Sequence, residues 1–329
     1  VSPTPAVTGV LRRVVGVLLF GLVTGVAGSL LAIGFVEGIQ WLSCQITVMD
    51  AMQWSGIDIA LLLAPVAGGA IVGAMVYRLH DRRSHSLTDL VFSVQSRENP
   101  ESGRDSIINA FAAIIGMGSG ASVGLYGPLA VMGANIGNTL ARWTRVDGSL
   151  AIGCGVAAVI STAFSAPIAA LVFVHEVILR HYSMRAFAPV TVASSTGFFI
   201  NHYLFERPLL FSVDGERSVF APEFIGFLLT GIIGAIVAII FMRAIIMTAN
   251  WAKQSNMPIW LRPAVAGLGV GLMAQWMPEI LGPGIQVLGE VIRNGGFSLM
   301  DLSLILLLKS LRPHCVSASI RWSAFSPAY

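Results

Sequence analysis

An all-α fold that crosses a membrane several times, built partly from broken helices, follows from three features of the chain. Its composition is 55% hydrophobic and only 11% charged, with a mean hydropathy of +0.78, whereas soluble domains carry about a quarter charged residues. Val14–Val36, Ile59–Tyr77, Gly148–Val174, Ala186–Phe205 and Phe224–Met242 contain no Asp, Glu, Lys or Arg. Each is near or above the ~20 residues that span a bilayer as a helix. Between and within these runs, shorter apolar segments are cut by Gly, Pro and Ser, without the alternating pattern of a transmembrane β-barrel.

The first run is too long for a secretory signal and lacks a convincing cleavage site, so it is read as a retained helix. Arg12 and Arg13 precede it, Arg78, Arg82 and Arg83 follow the second run, and Glu37 to Asp58 carries neither Lys nor Arg. The positive-inside bias then places the N-terminus in the cytoplasm, with helix one running outward and helix two returning. A multi-pass protein of the plasma membrane is the expectation. The net charge of +3 mostly reflects that bias and gives no case for nucleic-acid binding.

A polar stretch from Arg78 to Arg104 has room for a short helix over Leu87–Gln95. Ile107–Gly116, Pro128–Trp143, Leu150–Ala163 and Ala166–Arg180 follow with little connecting loop, several of them shorter than a full span. Partial helices at membrane depth are tolerated only where their backbone is buried in protein or lines a cavity, and transporters build their substrate sites this way. A second polar interval separates these from Phe224–Met242, Pro263–Met277, a Gly282-Pro-Gly turn and Leu302–Leu308. The chain therefore divides into a first half at 1–205, a link at 206–223 and a partial second half at 224–329.

Chemistry concentrates in Gly118-Ser-Gly-Ala-Ser-Val-Gly-Leu-Tyr-Gly-Pro128. A glycine-rich turn that opens a helix leaves backbone N–H groups pointing outward at the positive end of the helix dipole, a ready anion site. No charge interrupts Ser106 to Ala141, and no phosphate-binding Lys follows the glycines, so handling of a small anion within a membrane is the better reading. Cys44, Cys154 and Cys315 are scattered, and the six His residues form no ligand cluster. Neither a metal nor another cofactor is implied. No nucleophile or paired catalytic carboxylates sit together, which argues against an enzyme.

These residues resemble the CLC family of chloride channels and chloride/proton exchangers. Gly118–Pro128 followed by Gly133-Ala-Asn-Ile-Gly137 is similar to the family's Gly-Arg-Glu-Gly-Pro loop and Gly-x-Asn-Ile-Gly helix. Ser161-Thr-Ala-Phe-Ser-Ala-Pro167, leading into Leu171-Val-Phe-Val-His-Glu176, resembles its Ala-Phe-Asn-Ala-Pro segment and the helix ending in two Glu residues. Pro278-Glu-Ile-Leu-Gly-Pro-Gly284 is similar to the start of the second half's helix pair. The resemblance implies an inverted repeat of broken and tilted helices, and a homodimer with one anion pathway per subunit. It also implies that N–H groups at helix ends, with Ser and Tyr hydroxyls, replace the water around the anion. Helix dipoles stabilise an anion without a fixed cation that would trap it.

Three departures bear on mechanism. Tyr126 stands at the family's gating Glu; a phenol, whose ordinary pKa is about 10, is neutral and cannot compete with chloride as an anion. It can donate a hydrogen bond to a passing ion or simply pack the loop. Val177 falls on the inner proton-carrying Glu, with Glu176 before it, four residues from Arg180 and within reach of an i,i+4 ion pair. Uncoupled, channel-like passage is the expectation, with exchange through His175 and Glu176 as the rival. Third, Ser84-His-Ser-Leu-Thr-Asp-Leu90 occupies the place of the family's Gly-Ser-Gly-Ile-Pro-Glu, whose Ser coordinates the central anion. Overlay puts His85 on that Ser, with Ser84 and Ser86 adjacent, and a plain capped loop is the alternative.

Gly124, Leu125, Tyr126 and Gly127 would thus form the outer anion loop, and His85 or a neighbouring Ser the central site. Ala324 and Phe325 would be remnants of a third loop. Arg312-Pro-His-Cys-Val-Ser317 breaks the apolar pattern before it, and one set of codons for it, read in another frame, gives Thr-Ala-Leu-Cys-Leu-Gly, of the expected kind. A local frameshift is one reading of this tail, and a truncated, non-transporting product is another rival for the whole chain.

Overall fold

The computed structural model describes residues 5–48, 53–54, 57–78, 90–92, 103–121, 124–144, 146–180, 184–207, 223–254, 257–258, 260–282, 284–294, 298 and 300–306. Helix α1, Pro5–Val48, carries an apolar stretch of 35 residues, Arg12–Ile46. At ~1.5 Å per residue that stretch is about 52 Å long, against a hydrocarbon core of ~30 Å, so it fits only by running obliquely or projecting. The loop expected from Glu37 to Asp58 is instead helical as far as Val48. Glu37–Val48 holds no Pro and a single Gly, and nothing stops the helix there. Glu37, on this extension, pairs with Arg207.

Helix α2, Ile59–Tyr77, follows a two-residue antiparallel pair, Gln53–Trp54 against Ile57–Asp58. Thereafter come α3 (Gly103–Gly118), α4 (Tyr126–Thr144), α5 (Gly148–Phe164), α6 (Pro167–Phe173), α7 (Met184–Phe199), α8 (Glu223–Gln254), α9 (Arg262–Ala274) and α10 (Ile285–Asn294). Residues 300–306 are helical as well. Both α6 and α7 end in π-helical turns, Val174–Leu179 and Ile200–Leu204. The fold is all-α, as the sequence predicts. Among the described residues, three helices are long and apolar enough to cross a membrane: α1, α2 and α8.

The described residues group into two units. In the first, drawn from Val1–Trp41, His85–Ile114 and Gly124–Leu210, α5 is the centre. Every residue from Ala151 to Thr162 is buried, as befits a helix that is apolar all round. Small residues let its neighbours touch its backbone. A Cβ built on Gly155 would lie 1.9 Å from the Gly133 carbonyl oxygen, and one on Gly137 would lie 2.0 Å from that of Ala151. Residue numbers fall on α5 as they rise on α4, so the two helices run antiparallel at backbone contact, the small-xxx-small arrangement of membrane helices. Asp147 caps α5 by accepting from Ser149 and Leu150 N–H groups at 3.0 and 3.4 Å. Asp147→Ala is expected to cost ~1 kcal/mol, read as a lowered unfolding midpoint in detergent.

The second unit, drawn from Leu42–Ser84, Ile115–Val123 and Phe211–Tyr329, is organised by α2 and α9. Cβ atoms on Gly69 and Gly267 would sit 2.2 and 2.1 Å from the carbonyl oxygens of Pro263 and Pro65, again an antiparallel backbone contact. Gln275 fixes the register: its Oε1 accepts from Asp58 N–H at 3.0 Å and its Nε2–H donates to Asp58 O at 2.8 Å.

Candidate functional site

Helix α4 begins at Tyr126, two residues before the expected Pro128. Its first hydrogen bond runs from Leu129 N–H to Leu125 O at 3.3 Å. Pro128 has no N–H, so the donors left over at the helix head are those of Tyr126 and Gly127, with Gly124 and Leu125 leading in. None of the four meets an acceptor among the described residues. A Cβ at Gly127 would meet nothing within 4 Å, and one at Gly124 only the Tyr126 ring at 3.9 Å. Leu125 is buried and Tyr126 is half exposed, at 50%. The positive end of the helix dipole adds to the N–H groups in favouring an anion here.

Tyr126 lies flat on Phe164, with ring centroids 4.1 Å apart and planes 7° from parallel. The two motifs that looked separate in the sequence therefore meet: Tyr126 comes from the glycine-rich loop and Phe164 from Ser161–Pro167. The residue is thus both stacked on Phe164 and half exposed.

Phe164 is placed by the break between α5 and α6. The composition allows one run from Gly148 to Val174, but Pro167 cannot continue a helix. Ser165 turns the chain with a left-handed backbone, φ 51°, which costs a residue with a Cβ about 1–2 kcal/mol. Such a turn persists only when its surroundings hold it. Here Ala166 N–H reaches Ser161 O at 3.3 Å. Ser161 Oγ–H donates to Ser194 O, and Ser194 Oγ–H to Pro167 O, each at 2.6 Å. Asn201 Nδ2–H donates to Ser165 Oγ at 2.9 Å. On the far side of the loop, Asn135 of the Gly133–Gly137 motif donates to Ser106 Oγ and ties α4 to α3.

Val177 sits half-buried in the π-helical end of α6, between buried His175 and Ile178. His175 Nδ1–H donates to Leu171 O at 3.0 Å, and the ring tilts against Phe187 at 5.8 Å. Glu176 is exposed. The expected ion pair with Arg180 does not form among the described residues. The π turn widens the spacing, and Arg180 leaves the helix with φ 53°, so i and i+4 no longer share a face. Ser84, His85, Ser86, Ala324 and Phe325 lie outside the described residues, as does Arg312–Ser317.

Sequence reasoning missed Phe164 as the partner of Tyr126, and missed Ser194 and Asn201. The last had a signal. A buried Asn within an otherwise apolar membrane run is costly, and by default has a function and a partner.

A sequence model of the family described as "Voltage gated chloride channel" matches residues 68–320, most of the chain. The chain belongs to the voltage-gated chloride channel, or CLC, family. A ClcB-like chloride channel protein of Ralstonia nicotianae is 27% identical over 275 residues, covering 80% of this chain and 64% of that protein. The chain thus spans less than two thirds of the length of that CLC relative. Among solved structures, a slow cyanobacterial Cl-/H+ antiporter matches with a TM-score of 0.78 at 18% identity, over 92% of this chain and 74% of that one. A CLC-type fluoride/proton antiporter matches with a TM-score of 0.75 at 21% identity, over 93% of this chain and 76% of that one. At such identities these two bear on the fold, and the fold they share with this chain is the CLC fold.

Proposed function

We propose that this chain forms an anion pathway through the membrane and carries chloride or a similar small anion down its gradient, uncoupled from protons. The observation that carries the reading is the head of α4. Backbone donors at Gly124–Gly127 meet no acceptor among the described residues, and the polar side chain among them is a neutral phenol. An ion entering there exchanges water for N–H groups and a helix dipole, with no carboxylate to displace and no fixed cation to trap it. By the family resemblance, His85, Ser84 or Ser86 would coordinate the central anion, and Ala324 and Phe325 would belong to a third loop. The working form is a homodimer in the plasma membrane with the N-terminus in the cytoplasm, and its partners are the anion and the lipid bilayer.

Proton-coupled exchange is the second reading. It is favoured by one observation: a buried His175 lies two residues from Val177, at the inner position. An imidazole is suited to carry a proton in the physiological range.

Vesicles containing the purified chain and loaded with chloride separate these readings. Chloride loss with no change in external pH is the expected result. Proton uptake in step with chloride loss would transfer the mechanism to His175 and Glu176. No chloride loss at all would remove the anion pathway for this chain.

A further inference from the structure

We propose that Asn201 is a positioning residue for Tyr126, acting from the π-helical end of α7 through the Ser165 turn and the ring of Phe164. Asn201 is buried, 4% exposed, and reaches Ser165 across 36 residues of sequence. In membrane interiors an amide is costly without a partner, and Asn201 directs its N–H at the one residue between α5 and α6 whose backbone is left-handed. The π turn beginning at Ile200 matters here. It adds a residue to the helical repeat and so re-aims the side chains that follow, a device that recurs at functional positions.

The line of contact is continuous. Asn201 anchors Ser165, the Ser165 turn ends α5 at Phe164, and Phe164 lies under Tyr126 at 4.1 Å. Holding the phenol against Phe164 fixes its place relative to the helix head, where a Cβ at Gly127 would meet nothing within 4 Å. The anchor therefore sets how much of the time the backbone donors are uncovered. Rigid packing alone would not need a hydrogen bond aimed at the turn. Ser194 already ties α7 to the same break through Pro167 O.

The idea that this setting governs anion passage rests on the proposed function; the coupling of Asn201 to Tyr126 does not. The test follows both in the full chain in lipid vesicles. Tetranitromethane nitrates exposed tyrosine rings, and digestion with mass spectrometry reads Tyr126 against Tyr77 as the internal reference. Asn201→Leu, Ser165→Ala and Phe164→Ala are expected to raise nitration at Tyr126 about two- to tenfold, the population change such a stack is worth. Ser165→Gly is expected to leave it unchanged, because glycine takes a positive φ without an anchor. In the Ser165→Gly background, Asn201→Leu should then add nothing.

Wild-type nitration in Ser165→Ala, or an increase from Asn201→Leu that survives in the Ser165→Gly background, would overturn the proposal. Should Asn201→Leu fail to fold, the contrast between Ser165→Ala and Ser165→Gly still decides. Chloride efflux from the same vesicles is expected to fall in the variants that gain nitration. The expected nitration pattern with no efflux in any variant, wild type included, would retire the anion pathway and keep the positioning role. Efflux with flat nitration would retire the positioning role alone.

Discussion

Tyr126→Glu is expected to shut chloride passage at neutral pH and to restore it in acid. Tyr126 opens α4 among backbone N–H groups that meet no acceptor among the described residues, so a carboxylate placed there becomes the anion those donors bind. A second unit of negative charge ~4 Å away is repelled by about 4 kcal/mol at an effective dielectric of 20. That is ample for a more than tenfold fall in occupancy at ~1.4 kcal/mol per decade. A Glu carboxyl ordinarily titrates near 4.3, and the positive helix end favours its ionised form, which lowers the midpoint. Flux should therefore be low at pH 7.5 and recover only below about pH 4. Efflux measured at both pH values checks this. A Tyr126→Glu protein that conducts like wild type at pH 7.5 would show that residue 126 does not line the path.

Gly155→Val carries the largest expected cost to the fold. Even one Cβ at this position lies 1.9 Å from the Gly133 carbonyl oxygen and 3.1 Å from Gly137 N. Both are backbone atoms on α4 that cannot rotate away. Overpacking a core ordinarily costs ~1–3 kcal/mol and occasionally more. Here α4 must separate from α5 along the whole contact, which also displaces Tyr126 from Phe164. The variant is expected to aggregate or run as a dispersed peak on size exclusion in detergent. Gly226→Val on α8, where a Cβ meets nothing within 4 Å, should behave as wild type. Equal behaviour of the two variants would mean that α4 and α5 do not touch at Gly133.

What could be read from the chain before its structure followed the reach of local patterns. Apolar runs without charge placed the helices, because burying a charge in hydrocarbon is costly whatever the tertiary context. Pro167 and the glycines marked the breaks for equally local reasons. The loop expected from Glu37 to Asp58 was placed too early because Glu37 is a single charge on a helix that has no other reason to end. The candidate site was half legible. Gly124–Gly127 advertise themselves by composition, and Val177 by its place after Glu176. The ring beneath Tyr126 is 38 residues away in sequence and belongs to a different motif, so only the packing of α4 on α5 brings it there. Asn201 signalled itself by its polarity, but its partner Ser165, 36 residues away, did not. Asn201 lies in a run read as an ordinary span, and its partner is fixed by a π turn that no periodicity announces.

The pairing of α2 with α9 also imposes an order of events on biosynthesis. Asp58 and Gln275 are 217 residues apart, and a ribosome adds about 5–20 residues per second. Some 10–40 s therefore pass between the emergence of one face of this contact and the other. For most of that interval the backbone that Gly69 meets in the folded chain, at Pro263, has yet to be made. The Asp58–Gln275 pair can close only after the last turn of α9 has been made.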